Sequence, residues 1–381
     1  MSARLELFVA CLPGLEELVA AECVELGATP PTVEIGRGGV AIEGDVAAFA
    51  RLLVGTACSS HVLVRLANFH ARHFGELCRR AAAVDWTHWL GPTVPWQVHA
   101  TARRSKLIHT GAIAERIATV VAERIGTAEE AAREAVTVHV RMQDDRCTLS
   151  LDVAGRPLHE RGWRLATAKA PLREDLAAAL LRAAAWSGDR AFCDPMCGSG
   201  TIAIEAALRA RRIPPGAERK LAGEDLPLLR GEVDTARRAL LARALDAAPR
   251  AIHASDRDAG AVESARANAR RAGVEDDIAF AEAPLSAAPG LQDPGAEGLV
   301  ACNPPFGRRI GSAERLVPLW QSLGHRVRAL GAGWRLAVIS ADRRTSLRCG
   351  LPLRSAFLTD HGGIRVRALV SEVQDGVVAT A

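Results

Sequence analysis

The spacing of apolar and polar residues changes period several times along the first 150 positions, and each change predicts an element. Residues 4–10 (RLELFVA) alternate as a half-buried strand does. Residues 14–26 place Leu15, Leu18, Val19, Cys23 and Leu26 on one helical face, and Gly27 stops the helix. Residues 33–35 and 39–42 read as a short hairpin around Gly36–Gly38, and Asp45 reads as the N-cap of a helix over 46–53. A strand at 62–68, a helix near 73–83 and a strand at 96–102 follow. A long helix over 109–125 then carries Ile113, Ile117, Val120, Val121 and Ile125 on one side. Residues 136–142 and 147–153 form a hairpin around Asp144-Asp145. This order mixes strands and helices without regular βαβ repeats, so an α+β region is predicted.

From about residue 165 the pattern becomes regular. Helices are predicted over 171–185, 201–210, 259–272 and 316–330, with strands ending at 191–194, 252–255, 278–281, 298–302 and 335–340. Strands alternating with helices imply a doubly wound, mostly parallel sheet. Such sheets bind ligands at the carboxyl ends of their strands. The segment 155–170 joins the two regions.

Composition narrows the class without deciding it. The 381 residues suggest roughly two to three domains, and 49% hydrophobic with 24% charged residues is ordinary for a globular protein. No apolar run approaches the ~18 residues of a membrane span, and the first ten residues lack the basic start and long apolar stretch of a signal peptide. The nine cysteines are scattered, with no CxxC pair and no Cys/His cluster at zinc spacing. The expectation is a reduced, cytoplasmic protein with buried thiols, no metal and no membrane partner. The formal charge is +4; residues 1–165 carry 18 basic against 19 acidic side chains, the remainder 30 against 25. An RNA-facing surface therefore has to be a local patch. Arg308-Arg309 is one such cluster, and Arg103-Arg104 with Lys106 is a candidate for phosphate contact.

Three motifs carry chemistry. The first is Asp194-Pro195-Met196-Cys197-Gly198-Ser199-Gly200-Thr201, a strand end and glycine turn opening directly into a helix. That arrangement exposes backbone amides to a ligand, and Gly198 and Gly200 permit close approach. A nicotinamide enzyme shares such a turn, and Ala203 suits the third position of its fingerprint. Asp194 argues otherwise: a carboxylate there repels a pyrophosphate and suits the ammonium group of a methionine moiety. The second motif is Asp256-Arg257 at the end of the next strand, where an acid accepts both ribose hydroxyls of an adenosine. It fits either cofactor, while Asp258 reads as a helix cap.

The third motif decides the class: Asn303-Pro304-Pro305-Phe306-Gly307 directly after a strand. An exocyclic amine on a base is a poor nucleophile because its lone pair is delocalised into the ring. The Asn303 side-chain oxygen and the Pro304 carbonyl can both accept its hydrogens, pushing the nitrogen towards tetrahedral. Two prolines stiffen the loop, and Phe306 can stack on an unstacked base.

With these residues in view, the chain resembles the class I RNA methyltransferases that make N2-methylguanosine. Over nearly its whole length it looks like the bacterial 23S ribosomal RNA guanine-N2 methyltransferases with an N-terminal THUMP domain. The resemblance is carried by residues 5–20, 147–164 (CTLSLDVAGRPLHERGWR), 170–180 (APLREDLAAAL), 194–207 (DPMCGSGTIAIEAA) and 303–311 (NPPFGRRIG). It implies a ferredoxin-like region over 1–50, a THUMP RNA-binding domain over 51–155, a linker over 156–169 and a Rossmann-like methyltransferase domain over 170–381. It also implies S-adenosylmethionine as cofactor and structured RNA as partner, ribosomal RNA ahead of tRNA. By the resemblance, residues 194–201 bind the cofactor, with Asp194, Gly198 and Gly200 at its methionine part; Asp256 holds the ribose, and Asn303 to Phe306 the target base. Relatives end the catalytic loop in Tyr, so a phenolic hydrogen bond is lost at Phe306. An acid after the third strand that reads the adenine is matched only by Glu282. Arg161 and Arg164 either contact RNA phosphate or tie the domains together. The rival readings are a tRNA guanine-N2 methyltransferase, an amino-methyltransferase of adenine or protein glutamine, and a non-catalytic RNA-binding assembly factor.

Overall fold

A computed structural model describes residues 4–28, 34–91, 94–126, 134–165, 172–292, 297–305 and 316–372. The chain divides into two compact units, one of Met1–Cys11, Val19–Leu158 and Gly216–Leu240, the other of Leu12–Leu18, His159–Pro215 and Leu241–Ala381.

The first unit is built on seven strands: β1 (Leu5–Ala10), β2 (Glu34–Gly36), β3 (Gly39–Gly44), β4 (His61–His70), β5 (Trp96–Arg103), β6 (Val136–Gln143) and β7 (Arg146–Asp152). Their order is β2-β3-β1-β4-β7-β6-β5, antiparallel except for the β5/β6 pair. The helices that intervene are α1 (Glu16–Glu25), α2 (Val46–Gly55), α3 (Phe74–Ala81), α4 (Trp86–Trp89) and α5 (Thr110–Ile125). Asp45 caps α2 as expected, accepting from the Ala48 amide at 2.8 Å. Four of the five residues expected on one side of α5, Ile113, Ile117, Val120 and Val121, are buried, and Ile125 is half-buried. Residues 216–240 leave the path of the second unit and pack in the first. Gly216 donates to the Val54 carbonyl at 2.8 Å and Gly223 to that of Val153 at 2.9 Å.

The second unit contains α6 (Glu174–Ala183), β8 (Ala191–Asp194), α7 (Thr201–Ala210), β9 (Ile252–Asp256), α9 (Ala259–Arg271), β10 (Ile278–Glu282), β11 (Gly298–Cys302), α10 (Val317–Ala329), β12 (Trp334–Ser340), α11 (Arg343–Ser346), β13 (Leu353–His361) and β14 (Ile364–Ser371); α8 (Glu232–Leu241) lies almost wholly in the first. The sheet order is β10-β9-β8-β11-β12-β14-β13. Strands β10 to β12 are parallel, and the β13–β14 hairpin adds antiparallel to β12. This is the doubly wound, mostly parallel sheet that the alternation predicts. All five residues of β11 are buried, so it reads as a continuous apolar run with no alternation. Chain order reverses between β8 and β11, which makes their carboxyl ends the expected place for a ligand.

A buried set of charges fixes the start of this unit. Arg161 pairs with Glu205 of α7 at 3.3 Å, its side chain 1% exposed, and Arg164 pairs with Glu174 of α6 at 3.0 Å. Arg164 also donates to the Leu172 carbonyl at 2.6 Å, and Arg173 forks onto the fully buried Asp175. Breaking one member of a buried pair leaves an uncompensated charge, so Arg161→Met should cost about 3–5 kcal/mol in urea unfolding. A loss below about 1 kcal/mol would show that Glu205 finds another partner.

Candidate active site

The strand register gathers the motif residues at one edge of the parallel sheet. Cys193 lies level with Val300 of β11 and with His253 of β9, and Glu282 lies level with Asp256. Running across the strand ends from β10 to β11, the chain therefore presents Glu282, Asp256, the loop after Asp194, and Asn303.

The loop from Pro195 to Gly200 is fastened from beneath. Cys197 donates to the Ser255 carbonyl at 2.9 Å and Gly200 to that of Cys197 at 2.8 Å. Gly198 donates to Asp256 Oδ2 at 3.0 Å, which ties the first motif to the second. Both glycines are left-handed, with φ of +53° at Gly198 and +85° at Gly200. Their surroundings differ. A Cβ at Gly200 would meet Ala265 of α9 at 2.9 Å, whereas at Gly198 nothing lies within 4 Å. The loop is thus packed against α9 at Gly200 and open at Gly198. Pro195, Cys197, Ser199 and Thr201 are buried and Met196 is half-buried. Burial pushes the Cys197 thiol well up, so it is an inert wall residue.

Asp194 is buried, and its Oδ1 accepts from the Met196 amide at 3.2 Å. Burial, with a smaller push from the charge of Asp256, holds its carboxyl well above the ordinary range despite the Met196 hydrogen bond. Asp256 is half-exposed; its Oδ1 accepts from the Asp258 amide at 3.1 Å. Each Asp256 oxygen thus spends one lone pair on the backbone and keeps another for an incoming hydroxyl. Asp258 caps α9, accepting from Gly260 and Ala261. Arg257 and Glu282 are exposed. Asn303 Oδ1 is buried and has no hydrogen-bond partner among the described residues. Pro304 is buried and Pro305 exposed. Phe306, Arg308 and Arg309 lie outside the described residues.

For Arg161 and Arg164, left open between RNA phosphate and a structural tie, the contacts found are internal. Arg161 and Arg164 face inward, onto Glu205 and Glu174, because helices α6 and α7 bury acids that need a cation. They are placed to tie this unit together and not to meet phosphate. Arg103, Arg104 and Lys106 are exposed as expected, at the end of β5 and just beyond it. Arg104 is engaged with Asp144 through contacts of 2.7 and 2.8 Å. One residue near the loop escapes sequence reading altogether. Asn268 is fully buried in α9 and donates to the Ser199 carbonyl at 3.0 Å. Its signal is a polar residue on the stripe otherwise formed by Val262, Ala265 and Ala269.

The fold and these strand ends define a class I methyltransferase architecture behind an α+β region, and comparison with known proteins agrees. Residues 161–350 match the RMKL-like methyltransferase domain, residues 6–63 the RlmL ferredoxin-like domain and residues 71–152 the THUMP domain. The chain belongs to the THUMP-domain methyltransferases of this RMKL-like family. A relative named ribosomal RNA large subunit methyltransferase K/L, from Syntrophotalea carbinolica, is 32% identical over 395 residues, 98% of this chain and 54% of that protein. The chain thus spans about half the length of the curated relatives it matches. A crystal structure described as a predicted N6-adenine-specific DNA methylase from Listeria monocytogenes superposes with a TM-score of 0.84 at 28% identity, covering 96% of each chain. SMU.472 complexed with SAH superposes with a TM-score of 0.86 at 24% identity over 99% of this chain and 100% of that one.

A methyltransferase domain needs a methyl donor, and S-adenosylmethionine is the candidate to test against these residues. The donor set fits that group: open backbone at Gly198, spare carboxylate lone pairs on Asp256, and a buried carboxyl at Asp194. Binding an ammonium group needs Asp194 ionised, whereas burial favours its protonated form. The sign follows: cofactor affinity should fall as pH is lowered through the raised Asp194 pKa, with a proton released on binding in that range. Calorimetric titration with S-adenosylhomocysteine in buffers of different ionisation enthalpy reads this directly. Binding with no proton release at any pH would remove Asp194 from the ammonium role.

Proposed function

We propose that this chain transfers a methyl group to the exocyclic N2 amine of a guanosine in large-subunit ribosomal RNA. The observation that carries the reading is Asn303 Oδ1, buried and without a donor among the described residues, at the carboxyl end of β11 and one strand from the Asp194 loop. A buried acceptor without a donor is costly unless a ligand supplies one, and an exocyclic amine supplies it. S-adenosylmethionine, when bound, supplies an electrophilic methyl group. Residues Asp194, Gly198 to Gly200 and Asp256 would hold it, with Glu282 the candidate for its adenine. Asn303 Oδ1 and the Pro304 carbonyl would accept the two amine hydrogens and stabilise the charge that develops on nitrogen. Asn303 is no base, so its part is orientation and electrostatics, and holding two reactants near contact distance supplies most of the acceleration. The target base has to be unpaired or flipped out, since the amine is unreachable in a duplex.

The ribosomal partner is supported by the names of the relatives and by the THUMP match at residues 71–152. Under this reading Arg103 and Lys106 offer phosphate contacts. The domain bounds proposed from the sequence, 1–50, 51–155, 156–169 and 170–381, go with it. Incubating the purified chain with isotopically labelled S-adenosylmethionine and unmodified large-subunit rRNA, tRNA or DNA tests the reading. Label in N2-methylguanosine from rRNA is the expected result. Label in tRNA alone moves the substrate, and label in N6-methyladenine changes the base.

A further inference from the structure

The Ser199 carbonyl accepts from Asn268 Nδ2 at 3.0 Å. The Asn268 Oδ1 in turn accepts from the Arg271 guanidinium, and Arg271 Nε donates to the Trp163 carbonyl at 2.8 Å. The orientation of the amide is dictated by chemistry: a guanidinium only donates and a carbonyl only accepts, so Asn268 must turn Oδ1 to Arg271 and Nδ2 to Ser199. The chain of contacts runs from the segment after residue 158, through α9, to the underside of the glycine loop. Ala265, one turn earlier on α9, is the residue that a Cβ at Gly200 would strike. Helix α9 therefore touches the loop twice, once through a methyl and once through an amide. The same segment is held from its other side by Arg161 on Glu205 of α7.

We infer that Asn268 is a positioning residue for the cofactor loop, itself oriented by Arg271 and the Trp163 carbonyl. It fixes the direction of the Ser199–Gly200 peptide and thereby the left-handed turn that leaves Gly198 open. This rests on the reading of that loop as the cofactor cradle. It also gives residues 161–164 (RGWR) a role that RNA contact does not: they back the loop from behind. A buried amide that merely filled space would tolerate its near-isostere. Asn268→Asp keeps the volume and the Arg271 contact and sets an oxygen against the Ser199 carbonyl.

The test uses the full chain and S-adenosylhomocysteine in calorimetric titration, with hydrogen–deuterium exchange of residues 195–203 as a direct readout of the loop. Asn268→Asp is expected to weaken binding about tenfold and to speed exchange in that peptide. RNA affinity should stay at the wild-type level, which a general loss of structure would not allow. Arg271→Met, which frees the amide to rotate, should shift both readouts the same way but less. Should Asn268→Asp fail to fold, Arg271→Met and the exchange rates decide. Wild-type affinity and wild-type exchange in the folded variants would overturn the inference. Absence of binding in the unaltered chain would instead overturn the cradle reading on which it rests.

Discussion

Asn303→Ala is expected to lower kcat by about a hundredfold to a thousandfold, the loss typical of removing one preorganised transition-state contact. S-adenosylhomocysteine affinity should change less than threefold. The argument rests on where the side chain ends. Its Oδ1 is buried and finds no donor among the described residues, so none of them is held by it. Among those residues Asn303→Ala removes an acceptor without stranding a partner, and the fold should tolerate it. Single-turnover kinetics together with ligand titration separate the two effects. Equal loss of turnover and of cofactor affinity would show that Asn303 is structural.

Asp256→Ala should act the other way round, weakening S-adenosylhomocysteine binding by about a hundredfold through charge-assisted hydrogen bonds. Asp256 does two things at once. Its Oδ2 holds the Gly198 amide at 3.0 Å, and its Oδ1 holds the Asp258 amide at 3.1 Å, so the carboxylate joins the glycine loop to the start of α9. Its remaining lone pairs are the natural acceptors for two ribose hydroxyls. Asp256→Asn keeps the acceptor at one oxygen only and should fall between Asp256→Ala and the parent. Isothermal titration across the three proteins measures this order. Parent-like binding by Asp256→Ala would leave the ribose without its proposed anchor.

The second unit was largely legible because its elements obey simple periods. β11 is an apolar run bounded by turns, α7 opens on a glycine, and α9 opens on Asp258 as cap. The β13–β14 hairpin was missed although Gly362-Gly363, both left-handed, marks its turn. The packing of residues 216–240 into the first unit was not legible, because it depends on carbonyls of Val54 and Val153 far away in sequence. The same physics explains why the sequence left two roles open for Arg161 and Arg164. Only the acid on α7, 44 residues on, takes Arg161 inside. Asn268 was invisible for the matching reason: its partner Ser199 lies 69 residues earlier. Motifs that act on a ligand stand out in sequence, whereas residues that hold those motifs in place are defined by partners brought near only in the fold.

The central claim is tested most directly in cells. Nucleosides from separated rRNA and tRNA pools, compared by mass spectrometry between a strain lacking this gene and its parent, report base and substrate together. Loss of N2-methylguanosine from large-subunit rRNA alone is the expected result. An unchanged N2-methylguanosine content in that pool would contradict the account.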